Sequence, residues 1–178
     1  MRKLTTVLVP VTAMCLALPA IGLAGLPEPN DATINVPSKL GGVELGMKIK
    51  KADKAWGKTG DCDVQHGVGS CFYAEKKSPE DGTASIATDG KGKVFSASID
   101  AGFNSKGKYV FGGPLNAFQT AEGIGIGDKI SKVGKAYPKA DRSGSSYTVN
   151  GKGKAYMSFI AGDDKHITSI GLVGGPQG

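Results

Sequence analysis

The chain has 178 residues, enough for one domain or two small ones. Glycine is abundant, at 28 residues, and aromatics make up only 7%, so the core must rest on aliphatic and small side chains, thin material for a deep ligand cavity. The formal net charge of +6 is a mild excess and lacks the dense basic footprint of a nucleic-acid binder.

The N-terminus is ordered like a secretory signal. Arg2 and Lys3 form a positive start, residues 4–20 form an apolar run, and small residues follow at Gly22, Ala24 and Gly25. The run approaches the ~20 apolar residues that span a bilayer. Pro10, Pro19 and the small-residue exit favour cleavage near Ala24 over a retained anchor. Cys15 lies inside the run behind Met14, which does not suit lipidation. Cleavage removes two basic residues and leaves 20 basic against 16 acidic, a net +4. A secreted or periplasmic bacterial protein is expected, with no transmembrane segment after cleavage.

The mature chain reads as a flexible segment (25–38), a first repeat (39–100), a linker (101–119), a second repeat (120–173) and a flexible tail (174–178). The division rests on one internal match. Residues 46–58 align with residues 127–139 at a constant offset of 81, with Gly46, Lys48, Ile49, Lys51, Lys54, Ala55 and Lys58 recurring identically. Ile49, Ala52, Ala55 and Trp56 fall on one face at helical period, and Ile130, Val133, Ala136 and Tyr137 repeat that face. Gly57 stops the first expected helix and Pro138 the second. The aromatic at each helix end is read as a packing residue.

Short strand-like runs follow each helix: 71–74, 84–88 and 93–99, then 146–149, 154–160 and 166–172. Turn-rich segments at 78–82, 89–92, 150–153 and 162–165 separate them. The expected fold class is α+β: two tandem repeats, each a short helix or helix-loop-helix packed on a three- or four-stranded antiparallel β-meander.

Once Cys15 leaves with the signal, Cys62 and Cys71 remain, and an even pair in an exported chain reads as a disulfide. His66 beside them raises a metal site, which export disfavours. Gly46-Met47, Ala55-Trp56-Gly57, and Cys62 with Cys71 ahead of a β-meander resemble the repeat of the secreted β-lactamase inhibitor proteins. The small outer-membrane assembly lipoproteins of the SmpA type are similar over a single repeat. The resemblance implies helices packed on an antiparallel sheet in each of two repeats. Its inhibitory motif, an Asp followed by two tyrosines, does not carry over: Asp81 is followed by Gly82, Thr83 and Ala84.

No catalytic constellation is present: there is no Gly-x-Ser-x-Gly, and no Ser-x-x-Lys arrangement with its partners. An enzyme is not expected, nor a cofactor. Residues 123–127 (Gly-Ile-Gly-Ile-Gly) align with 42–46 and read as a turn opening each repeat rather than a nucleotide loop. Asp163 and Asp164 lack the ligand spacing of a calcium loop, and His166 reads as a surface residue. The lysines are the candidate binding residues. Lys48, Lys51, Lys54 and Lys58 recur as Lys129, Lys132, Lys135 and Lys139, a spacing that forms a basic stripe on a helix. The expected function is therefore an exported, non-catalytic interaction protein whose partner is a protein or an anionic envelope component met by the lysines. The alternative is a proteinaceous inhibitor of a secreted hydrolase.

Overall fold

The computed structural model describes residues 25–57, 60–66, 68–75 and 78–174. The expected signal peptide, Lys58 and residues 175–178 lie outside the described residues.

Strand β1 (Thr33–Asn35) turns back into β2 (Lys39–Leu40), which pairs in turn with β3 (Val43–Glu44). Ile34, Leu40 and Val43 are buried in the core. Gly41, between β2 and β3, has φ +56°, and a Cβ there would lie 2.1 Å from the ring of Phe118, so backbone conformation and packing both demand glycine. The segment expected to be flexible is thus partly tied down. Leu26 and Ile34 are buried, and the Glu28 amide donates to the Trp56 carbonyl at 2.8 Å.

Helix α1 (Ile49–Ala55) has seven residues. Ala52 and Trp56 are its buried contacts, and Gly57, at φ +71°, ends it in the left-handed conformation that suits a helix terminus. Trp56 is 0% exposed, and its indole Nε1–H donates to the Leu40 carbonyl at 3.2 Å. Its ring meets Tyr73 edge-on at 5.0 Å and Phe118 at 6.3 Å, a geometry that suits the quadrupoles of aromatic rings.

Strands β4 (Asp61–Gln65), β5 (Val68–Ala74), β6 (Thr83–Thr88) and β7 (Val94–Asp100) form an antiparallel meander. A one-turn 3-10 helix (Pro79–Asp81) joins β5 to β6, and an Asp89 turn joins β6 to β7, its carboxylate accepting from the Lys91 and Lys93 amides at 2.9 Å. The expected linker is structured. It holds the hairpin of β8 (Gly102–Phe103) and β9 (Tyr109–Val110), a 3-10 turn (Pro114–Ala117), and β10 (Gln119–Thr120), which pairs in parallel with β1. Leu115 and Phe118 anchor it in the core. Helix α2 (Ser131–Ala136) follows, then β11 (Asp141–Ser143), β12 (Ser146–Asn150), β13 (Tyr156–Ala161) and β14 (Ile167–Val173).

The two sets of four strands are one sheet. The strand order is β11-β12-β13-β14-β7-β6-β5-β4, with β14 and β7 paired antiparallel at its centre. The expected α+β arrangement of two helix-on-meander repeats is therefore corrected: the described residues are β-rich, 44% strand and 14% helix, and built on a continuous eight-stranded sheet. The helices reach only seven and six residues, too short to form a layer comparable with the sheet. Pairing β7 with β14 also removes two edges that separate meanders would leave with unpaired backbone groups.

Because side chains alternate across a strand, adjacent rows of the sheet face opposite ways. One row runs Tyr73, Ala84, Ile99, Ile170, Phe159, Tyr147 and Arg142. Its central members are buried, and it is the face on which the helices and the small sheet pack. The neighbouring row runs Asp61, Phe72, Ser85, Ser98, Gly171, Ser158, Thr148 and Asp141. Apart from Gly171, every one of these is partly or fully exposed. The sheet thus has a covered face and an open face.

Candidate functional site

Both helices sit on the covered face. Trp56, capping α1, packs on Tyr73; Tyr137, capping α2, stacks on Phe159 with centroids 6.3 Å apart. Gly134 lets α2 approach the sheet closely, since a Cβ there would lie 2.6 Å from the Tyr147 hydroxyl. The lysines are carried outward on this layer. Lys48, Lys51, Lys54, Lys129, Lys132, Lys135 and Lys139 are all exposed.

Their stripe is shorter than the spacing implies. Lys51 and Lys54 lie within α1 with Lys48 at its cap, whereas only Lys132 and Lys135 lie within α2. Lys129 precedes α2 and pairs backbone to backbone with His166; Lys139 follows Pro138, beyond the helix end. Two of these lysines have local partners. Lys48 Nζ donates to the Lys91 carbonyl at 3.0 Å, and Lys132 forms an ion pair with Asp128 one turn earlier. No ion pair is seen for Lys51, Lys54 or Lys135 among the described residues.

Cys62 and Cys71 are directly opposite one another on β4 and β5 and form a disulfide. Asp53 lies close enough for its carboxylate and the two sulfurs to stand within 4.8 Å of one another. The bonded sulfurs offer no thiolate, however, and one oxygen of Asp53 is committed: Oδ1 accepts from the Tyr73 hydroxyl at 2.7 Å and from the Gly60 amide at 2.8 Å. Burial, then the hydrogen bond to Asp53, push the Tyr73 phenol well above the usual tyrosine range. The arrangement ties α1 to the sheet. His66 is exposed in the β4–β5 turn.

A second tyrosine–carboxylate pair locks the other helix. The Tyr137 hydroxyl donates to Glu122 Oε2 at 2.5 Å. Burial and this contact raise the Tyr137 phenol to about 12, and the same hydrogen bond, with one from Thr120, lowers the Glu122 carboxyl. Gly42, Gly46, Gly123 and Gly127 all have positive φ, between 69° and 87°, so the glycine-rich segments before the helices are turns.

Sequence reasoning missed three features. A cleft of about 620 Å³ lies beside the start of α2, bordered by Lys129, Arg142, Tyr147, Asp163 and Lys165. Near it, His166 is half-buried rather than an isolated surface residue: Nδ1 lies 3.3 Å from Asp164 Oδ2, without hydrogen-bond geometry, and the ring meets Phe111 at 5.6 Å. Phe103, Tyr109 and Phe111 then continue a run of aromatic contacts along the β8–β9 hairpin. The third feature is the open face of the eight-stranded sheet. The signal for it was present in the alternation of β6 and β7, but strand order is needed to assemble it.

No helix among the described residues is long and apolar enough to cross a membrane. The cross-strand disulfide fits a secreted protein, since such bonds persist in oxidising compartments. No protein-family model matches the chain, and no curated protein matches it. Among solved structures the chain is similar to an extracellular protein containing an SCP domain from Bacillus anthracis str. Ames, with 13% identity and a TM-score of 0.45. The likeness covers 73% of this chain and 44% of that one, so the chain spans less than half of that protein.

Proposed function

We propose that this is an exported, non-catalytic binding protein that contacts an anionic component of the cell envelope through its lysine-bearing layer. The observation that supports the reading most is the placement of Lys48, Lys51, Lys54, Lys129, Lys132, Lys135 and Lys139. All are exposed, and both helices that carry this layer lie on one side of the sheet. Export with cleavage near Ala24 belongs to the same proposal. A lysine close to an anionic membrane surface contributes about 1 kcal/mol, so neutralising four of them weakens binding on the order of a thousandfold.

Vesicles of phosphatidylglycerol and phosphatidylcholine, sedimented at low salt, test the proposal. The wild-type protein is expected to sediment with them and to stay in solution with phosphatidylcholine alone. The variant K51E/K54E/K132E/K135E, with unchanged circular dichroism, is expected to stay in solution with both. Equal sedimentation of variant and wild type would overturn the lysine reading.

A further inference from the structure

The open face of the eight-stranded sheet has a composition unlike the rest of the chain. Its outward positions can be read strand by strand from the register. On β4 to β7 they are Asp61, Asp63, Gln65; Val68, Ser70, Phe72, Ala74; Thr83, Ser85, Ala87; Ser96, Ser98, Asp100. On β14 to β11 they are Ser169, Gly171, Val173; Tyr156, Ser158, Ile160; Ser146, Thr148, Asn150; Asp141, Ser143. Four are aspartates and none is lysine or arginine. The expected mature chain holds 20 basic and 16 acidic residues, so the sequence outside these positions sets 20 bases against 12 acids. The open face is acidic only, whereas the helix layer mixes its lysines with Asp53, Glu122 and Asp128.

The aspartates are also spread in a useful way. Asp61 and Asp63 lie on one outermost strand, Asp141 on the other, and Asp100 on a central strand. None forms an ion pair among the described residues. Asp100 accepts from the Ser98 hydroxyl at 3.1 Å and Asp141 from the Asn150 amide at 2.6 Å, contacts that orient the carboxylates and leave their charge unneutralised. Between them the rows present small hydroxyl side chains, and Ser85 and Ser98 bond to one another at 3.1 Å across β6 and β7. Three large apolar groups stand proud of this polar floor: Val68, 58% exposed, and Phe72, 49% exposed, in one half, and Ile160, 43% exposed, in the other.

We infer that the open face is a docking surface for a cationic polypeptide segment of a partner protein, laid across the strands. Charge complementarity selects the occupant. A basic segment meets carboxylates at both edges and in the centre, is drawn there by their field, and meets no lysine or arginine at the outward positions of the described strands. Strand spacing puts the outer strands about 34 Å apart, a distance an extended chain covers in about ten residues. Hydroxyl rows accept and donate hydrogen bonds along the segment's backbone, while Phe72 and Ile160 offer apolar contact at separate points. An anionic polymer or lipid surface is repelled from this face. It is therefore distinct from the contact proposed for the lysine layer.

The test uses a fluorescent ten-residue lysine peptide and the full mature protein at low salt, read by anisotropy. The wild type is expected to bind, with affinity falling as salt rises. The variant D61N/D63N/D100N/D141N keeps side-chain shape and one acceptor oxygen at each position, and is expected to lose at least tenfold in affinity and most of the salt dependence. A control, E75Q/E80Q/D163N/D164N, removes the same number of exposed acids outside this face and is expected to bind like the wild type. Equal loss in both variants, or no binding by the wild type, would overturn the inference. So would self-association of the wild type that the aspartate variant abolishes, because it would make a second copy the occupant. The aspartate variant is expected to retain sedimentation with anionic vesicles, so failure of one proposal is distinguishable from failure of the other.

Discussion

The Tyr73 hydroxyl donates to Asp53 Oδ1 at 2.7 Å, joining the covered face of the sheet to helix α1 across twenty residues of sequence. The same oxygen accepts from the Gly60 amide, so one carboxylate fixes the helix, the chain leaving it and strand β5. Tyr73→Phe removes the donor and leaves the carboxylate half-satisfied. A loss of about 1–2 kcal/mol is expected in urea unfolding.

The phenol also gives a pH signature. Its folded pKa is raised above the unfolded value of about 10, so the unfolded chain releases the proton first. Stability is therefore fully present below about pH 10 and is lost as pH rises beyond it. Tyr137, raised to about 12 by burial and Glu122, adds to the same alkaline loss. The Tyr73→Phe variant is expected to show a shallower fall above pH 10 than the wild type. An identical alkaline slope would remove Tyr73 from the explanation.

Trp56 is the sole tryptophan of the chain and is fully buried between Leu40, Tyr73 and Phe118. Native emission is expected to be blue-shifted and protected from iodide quenching, shifting red on unfolding. Trp56→Ala removes the packing and both edge-on ring contacts, for an expected cost of about 3–5 kcal/mol by chemical denaturation. Gly41→Ala acts on the same cluster through Phe118 and the left-handed backbone, and is expected to destabilise as well.

The disulfide closes a short loop with a sequence separation of nine. A thiol assay on the unfolded, unreduced mature protein should find none. Reduction is expected to lower stability by about 2–3 kcal/mol, in line with the chain entropy of a loop this short. Two titratable thiols in the unreduced protein would contradict the pairing.

Local pattern made parts of the fold legible and left its assembly hidden. The apolar stripe of Ile49, Ala52, Ala55 and Trp56 marked α1 and its packing face, and the alternation of 84–88 marked β6. The helix ends were less secure. A lysine stripe from 48 to 58 needs a helix of that length, and α1 ends at Ala55 with Trp56 as its cap. The central pairing of β7 with β14 joins residues some seventy apart, and no short-range signal specifies it. The internal match was also incomplete as a guide. Helix positions recur at an offset of 81, but Ile99 and Leu172, which occupy corresponding places about the centre of the sheet, are 73 apart. The open face fell in the gap between these scales. Each strand contributes two to four unremarkable residues, and only their register collects four aspartates on one surface. Phe103 and Tyr109 were passed over for a similar reason, lying in a segment read as a linker.

Exposed lysines on the helix layer and aspartates on the open sheet face are proposed to meet partners of opposite charge. The most direct test is a side-by-side sedimentation of K51E/K54E/K132E/K135E and D61N/D63N/D100N/D141N with phosphatidylglycerol vesicles. The lysine variant should stay in solution and the aspartate variant should sediment at least as well as the wild type. Sedimentation of the lysine variant at the wild-type level would contradict the account.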